Sequence, residues 1–224
     1  VTLDAIVEAV GKPYFRDEAV AIYLGDCRDI LPLIPAESVD LVLTDPVWPN
    51  SSWQLVGSDD PLALFAAAAA LFPRLSSRLV VHLGCDSDPR FLLAVPAEMP
   101  FFRVCWLEYV RPHYKGRVLY GSDIAYAFGP PPAPKPGQFV ISGKTLDVSS
   151  NGQQTDHPTP RKLGHVRWLV TWFNDNGPIL DPFMGSGTTL RAAKDLGRYA
   201  IGIEIEEKYC EIAAKRMAQM VMPL

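Results

Sequence analysis

One stretch near the end of the chain constrains the fold more than any other: Ile179-Leu180-Asp181-Pro182-Phe183-Met184-Gly185-Ser186-Gly187-Thr188-Thr189. Ile179 and Leu180 end a short buried strand. Gly185-Ser186-Gly187 form a tight turn, and Thr188 through Lys194 is a helix of good helix formers stopped by Gly197. A second strand, Tyr199 to Ile203, ends on Glu204. A strand, glycine turn, helix, strand and acid in that order belong to an α/β sheet with its ligand at the turn.

Each part has a chemical use. Two glycines let backbone approach a ligand, because no Cβ intervenes. The N–H groups that open the helix can hold a carboxylate or another anion. An acid roughly twenty residues after the turn suits a ribose with free hydroxyls. A glycine pair alone would be a loop that needs glycine for its geometry. With Asp181-Pro182-Phe183 before it and Glu204 after it, the unit points to a nucleoside-bearing ligand. A dinucleotide site wants a third glycine where this chain has Leu190, and a phosphate loop wants Gly-Lys-Ser/Thr, which is absent. Asp181 would repel a polyphosphate. An acid before the turn and a helix start after it suit a zwitterion. S-adenosylmethionine fits the residues, although spacing alone does not single it out.

A second site stands earlier. The apolar run Leu41-Val42-Leu43 predicts a strand over Ser38 to Thr44 that stops at Asp45-Pro46-Val47-Trp48. An acid, a proline and an aromatic then lie at the carboxyl end of a buried strand, where open α/β sheets bind ligands. The bland alternative is a rigid turn leaving the strand.

Together the two sites resemble the amino-group DNA methyltransferases. Asp45-Pro46-Val47-Trp48 is similar to their Asp-Pro-Pro-Tyr motif, and Asp181 through Thr188 is similar to their cofactor motif. The catalytic motif comes first and the cofactor motif late, as in the β class of N6-adenine and N4-cytosine enzymes. Gly25-Asp26 resembles the strand end that contacts the cofactor's adenine in that class, and His157-Pro158-Thr159-Pro160-Arg161 resembles their His-Pro-Thr-x-Lys segment. Val47, Trp48 and Arg161 depart from the family letters.

The resemblance implies a single domain over residues 1–224. Its fold is a doubly wound, mostly parallel sheet of the Rossmann-like methyltransferase type, with helices on both faces and one antiparallel strand. It implies S-adenosylmethionine held by Asp26, Cys27, Asp45, Thr159, Asp181, Phe183, Gly185, Ser186, Gly187, Thr188 and Glu204. It implies transfer to the exocyclic amine of a flipped DNA base, most readily N6 of adenine, since Asp stands first in the catalytic motif. Asp45 and the Pro46 carbonyl accept from the amine and Trp48 stacks on the base, two roles expected to be separable. N4-cytosine is the near rival. More distant ones are methylation of RNA or protein and a catalytically degenerate cofactor-binding protein.

The rest of the chain adds partners and limits. Cations and aromatics interleave from Arg111 to Tyr120, so Arg111, Lys115 and Arg117 join Trp48 as candidate DNA contacts. The net charge of −4 means that a nucleic acid needs such a local patch. A proline-rich and polar insertion at about 129–156 is the candidate target-recognition region. The final helix is expected over Glu206 to Met220, with Arg216 near its end meeting the helix dipole. The four cysteines show no CxxC pair, which argues against zinc and for a reducing compartment. No apolar run is long enough for a bilayer and no signal peptide is visible, so the expected location is the cytoplasm. The expected partner is double-stranded DNA; the resemblance allows a homodimer and a companion restriction enzyme.

Overall fold

A computed structural model describes residues 2–48, 56–135, 137, 141–147 and 161–219. Its centre is a run of parallel strands whose apolar residues are buried on both faces, as sheets covered on both sides require. In chain order the strands are β1 (Phe15–Arg16), β2 (Val20–Leu24), β3 (Leu41–Thr44), β4 (Leu79–Gly84), β5 (Phe101–Lys115), β6 (Val118–Phe128), β7 (Lys144–Asp147), β8 (Ile179–Asp181) and β9 (Ala200–Glu204). Among the described residues they form one sheet in the order β1-β2-β9-β8-β3-β4-β6-β5-β7. From β2 to β4 every pairing is parallel.

The pleat sends alternate side chains to opposite faces, and each face has its own helices. On one side Ala21, Tyr23, Val42, Val81, Leu180 and Ile203 pack beneath α1 (Leu3–Val10), α2 (Cys27–Ile30), α3 (Pro61–Ala69) and α4 (Phe72–Leu75). On the other, Val20, Ile22, Leu41, Leu43, Val80 and Ile179 pack beneath α5 (Leu163–Phe173), α6 (Thr188–Asp195) and α7 (Glu207–Met217). The fold is therefore the expected doubly wound α/β sheet. Among the described residues no helix is long and apolar enough to cross a membrane.

Some expectations need correction. Two strands, not one, run antiparallel: β6 against β4, and the short β1 against β2. Before Pro13 the chain forms α1, capped by Thr2 Oγ1 accepting from Ala5 N at 3.3 Å, with Leu3, Ile6 and Val7 buried. That i, i+3, i+4 spacing was present in the sequence and marks one helical face. The polar stretch before Asp156 contains β7, parallel to β5 at the sheet edge. In the adjoining proline-rich run, Lys135 donates to the carbonyls of Thr171 and Asn174, closing the end of α5. The final helix ends at Met217; Met220 lies outside the described residues.

Beneath α6 the strand β9 carries Gly202. A Cβ there would lie 2.8 Å from Leu190 Cδ2 and closer still to Met184 Sδ. This close approach seats the glycine turn on the sheet. We expect Gly202→Ala to cost about 1–3 kcal/mol, the usual range for overpacking, read as a lower urea midpoint at unchanged slope.

Candidate active site

The chain leaves β8 through α6 for β9 on one side, and leaves β3 through α3 and α4 for β4 on the other. Strand order thus reverses between β8 and β3, and such a switch point opens a crevice at the strands' carboxyl ends. A cleft of about 1200 Å³, its open mouth included, occupies this place. Asp26 and Cys27 after β2, Glu204 ending β9, Asp181 ending β8 and Asp45 after β3 all line it.

The glycine turn forms one wall. Gly185 and Gly187 both adopt positive φ, 49° and 78°, as the tight turn demands. Gly185 N–H donates to Glu204 Oε2 at 3.0 Å, and Glu206 N–H to Oε1 at 2.9 Å. Burial raises the Glu204 pKa against the backbone donors of Glu206, Gly185 and Ile205. A carboxylate offers about four acceptor positions, so among the described residues acceptor capacity is left for a ligand. Phe183, Gly185, Ser186 and Thr188 line the cleft, but Gly187 does not. A Cβ on Gly187 would meet Ala213 Cβ at 3.0 Å, so this glycine serves packing against α7. Arg216 is buried and donates to Thr188 Oγ1 at 3.0 Å, bracing the turn from behind. It does not simply meet the α7 dipole, and burial with Arg191 nearby lowers its pKa to about 10.

Asp181 is buried at the floor. It accepts from Thr44 Oγ1 at 3.1 Å and from Phe183 N–H at 3.2 Å, which ties β3 to β8. Burial, helped by Asp45 nearby, pushes its pKa up to about 7 against these hydrogen bonds. At the opposite end of the cleft the Asp26 carboxylate caps α2 and pairs with Arg28 at 2.5 Å, which holds its pKa low. Cys27 is buried, and burial raises its thiol to about 12.

The other wall is Asp45, Pro46 and Trp48. Asp45 accepts a fork from Arg161: Nε to Oδ2 at 2.7 Å and Nη2 to Oδ1 at 2.9 Å. Trp48 Nε1–H also donates to Oδ1, at 3.1 Å, and the Arg161 guanidinium lies 4.3 Å from the Trp48 ring centroid. Asp45 and Trp48 are consequently one hydrogen-bonded unit. Behind them Arg161 Nη1 pairs with Asp123 at 2.9 Å, and Asp123 lies 3.2 Å from His82 Nε2. Burial alone would raise the Asp123 carboxyl; Arg161, His82 and Tyr109 overcome it and hold it well below the usual range.

Known proteins match this arrangement. The model of a family described as DNA methylase, covering N6 and N4 amino-methyltransferases, matches residues 106–215. A protein of Escherichia coli K12 named as the methylase YubD is 30% identical over 207 residues, 87% of this chain and 88% of its own. The chain belongs to the N6/N4 DNA methylase family. The type II methyltransferase M.ScaI of Streptomyces caespitosus is 26% identical over 265 residues, 95% of this chain and 86% of its own. Two solved structures share the fold. The M1.HpyAVI–SAM complex has a TM-score of 0.68 at 23% identity, covering 89% of this chain and all 100% of that one. The PvuII cytosine-N4-specific DNA methyltransferase has a TM-score of 0.73 at 18% identity, covering 94% and 90%.

Within this methylase most of the expected site residues share one cleft. Thr159 lies outside the described residues. Arg111 and Arg117 stand apart, exposed on the ribbon of β5 and β6, where Lys115 is the last residue of β5. The residues that sequence reasoning missed are those behind the wall: Thr44, His82, Tyr109 and Asp123, with Arg161 noticed only as a departure. An ionisable side chain inside an apolar strand, as His82 is within Leu79 to Leu83, was the available signal.

The raised Asp181 pKa makes stability depend on pH. Its ordinary value is 3.8 and its folded value about 7. The folded state therefore binds the proton more tightly. The contribution is complete below about pH 4 and disappears as pH rises through about 7. Relative to Asp181→Asn, the wild-type melting temperature should decline steadily from pH 4 to pH 7. Parallel curves for the two proteins would show that the Asp181 pKa is the same in the folded and unfolded chain.

Proposed function

We propose that this methylase transfers a methyl group to the exocyclic amine of a flipped base in double-stranded DNA, N6 of adenine. The observation that carries the reading is Asp45 with Trp48 at the carboxyl end of β3, beside the glycine-turn cleft. The cofactor is S-adenosylmethionine, which supplies an electrophilic methyl when bound. The cleft suits it: Glu204 keeps acceptor capacity for a ribose hydroxyl, the α6 start offers N–H groups to a carboxylate, and Asp181 suits an ammonium. Phe183, Asp26 and Cys27 complete the wall for the nucleoside in this reading. Thr159 keeps its place among the cofactor residues on the family resemblance.

An exocyclic amine is a poor nucleophile because its lone pair is conjugated with the ring. The Asp45 carboxylate and the Pro46 carbonyl accept its two hydrogens and localise that pair. Trp48 stacks the base and holds it in line, so positioning supplies much of the rate. Asp45 Oδ2 receives the proton that the nitrogen sheds. The same acceptors serve N4 of cytosine, and Asp45 at the first motif position is what favours adenine on the family resemblance.

DNA would be gripped by the ribbon. Among the described residues β4 pairs with β6 as far as Gly84 and Asp123, and β7 with β5 as far as Tyr109. Beyond these, β5 and β6 run on as a two-stranded ribbon past the carboxyl end of β4, on the cleft's side of the sheet. Arg111 and Arg117 are exposed there, and Tyr114 is 73% exposed. A ribbon of this kind enters a major groove. The single domain, its recognition region at about 129–156, a homodimer, a companion restriction enzyme and a cytoplasmic setting belong to the same reading.

Mass spectrometry of unmethylated plasmid DNA after reaction should show N6-methyladenine. N4-methylcytosine instead would keep the mechanism and reassign the base; methylation of RNA or protein alone would reject DNA. Asp45→Ala should slow single turnover by several kcal/mol, roughly 3–4, at nearly unchanged cofactor affinity. Full activity in that variant would reject the mechanism. Changing Arg111, Lys115 and Arg117 together to alanine should weaken DNA binding and flatten the dependence of log K on log salt by about 2–3, near 0.9 for each phosphate contact. An unchanged slope would remove the ribbon from the interface.

A further inference from the structure

Arg161 precedes α5 and its side chain is only 10% exposed, yet it touches Asp45, Trp48 and Asp123. Its fork takes both oxygens of Asp45, its Nη1 reaches Asp123, and its plane lies over Trp48. The acceptor positions of Asp45 can be counted. Oδ1 receives Arg161 Nη2 and Trp48 Nε1, which fills both of its lone-pair directions. Among the described residues Oδ2 receives Arg161 Nε alone, which leaves one direction open. Arg161 is in turn held by Asp123, which His82 and Tyr109 hold in place. Four strands and the start of α5 thus meet at one guanidinium.

Resting on the amine-transfer reading above, we propose that Arg161 is a positioning residue for the transfer. Clamped by Asp123, it presents Asp45 to the target amine through the single open acceptor position on Oδ2, and it fixes the Trp48 ring beside that position. The other amine hydrogen then falls to the Pro46 carbonyl. Arg161 and Trp48 stand where the family pattern has lysine and tyrosine, and these two departures touch each other. A lysine is a point charge without a planar fork; it would neither hold both Asp45 oxygens nor cover an indole face. A tyrosine ring lacks the indole N–H that fills Oδ1. The two departures therefore act as one device. A purely structural role is a weaker account, because well-packed apolar residues usually replace a buried ion pair at no cost in stability.

The test combines kinetics with the spectrum of the Trp48 indole N–H, which Trp48→Phe assigns among the five tryptophans. Arg161→Gln should lower the single-turnover rate on unmethylated plasmid DNA about 100-fold, the scale of a misplaced reacting group. KM for cofactor and for DNA should stay within about twofold. The indole N–H peak should move and exchange faster with solvent. Arg161→Lys and Trp48→Tyr should each slow transfer, and together they should lose less than the product of the two losses, because the pair is coupled. Since Arg161→Gln leaves Asp123 buried without its cation, Arg161→Gln/Asp123→Asn is the folding control. It should melt near wild type and show the same loss of rate.

A wild-type rate in either glutamine variant, an indole peak that stays put, or strictly multiplicative losses would overturn the proposal. Loss of rate that tracks a raised KM for cofactor would overturn it equally. No methylated amine from the wild-type protein would instead overturn the amine-transfer reading on which the proposal stands.

Discussion

The site depends on the parallel pairing of β3 with β8. These strands are far apart in sequence, yet Leu41 pairs with Ile179 and Val42 with Leu180. Parallel strands end on the same edge, so whatever follows each strand must share one crevice. Asp45 and Asp181 become neighbours for this reason, and Thr44 bonds to Asp181 across the join. Everything else in the cleft is arranged around that seam: the glycine turn beside β8, Asp26 after β2 and Glu204 ending β9.

Bringing carboxyl groups together in a partly dry crevice costs electrostatic energy, and each is managed differently. Asp26 is neutralised by Arg28 at the rim. Glu204 takes two backbone N–H groups. Asp181, deepest of the group, has its pKa raised by burial to about 7. Asp45 and Asp123 share one cation, Arg161, and two carboxylates on one guanidinium leave net negative charge beside the cleft. A cationic cofactor suits such a place better than a polyphosphate, which agrees with the zwitterion inferred from the glycine turn. The same packing logic braces the turn from outside, where Arg216 reaches Thr188 and Arg167 of α5 pairs with Asp195 of α6.

The β5–β6 end of the sheet does different work. β5 and β6 outgrow their neighbours and leave a ribbon that carries exposed cations and apolar side chains. Residues that would be a liability on a free strand edge are in this reading a surface for nucleic acid. The sheet thus separates a rigid, buried chemical half from an exposed half with fewer supporting contacts. Between them stand His82, Tyr109 and Asp123, one each from β4, β5 and β6, so the ribbon's base and the catalytic wall share a hydrogen-bonded foundation.

The sequence by itself determined the family, the doubly wound sheet and most of the cleft's lining. Local signals sufficed there. Apolar runs ended on Asp45, Asp181 and Glu204, and the paired glycines had one economical use. The start of α3 is equally local: the Asp60 carboxylate before Pro61 accepts from Ala63 N–H at 2.9 Å. What only the tertiary structure decided is which charges meet. Arg161 and Asp45 are joined although 116 positions separate them, and nothing in local spacing links either to Asp123 or His82. It also decided that Gly187 faces α7 while Gly185 faces the cleft, and that Trp48 binds Asp45. Periodicity and turn chemistry are short-range and can be read along a chain. Ion pairing in a buried site depends on which distant strands the hydrophobic core brings side by side, and that is settled only when the sheet closes.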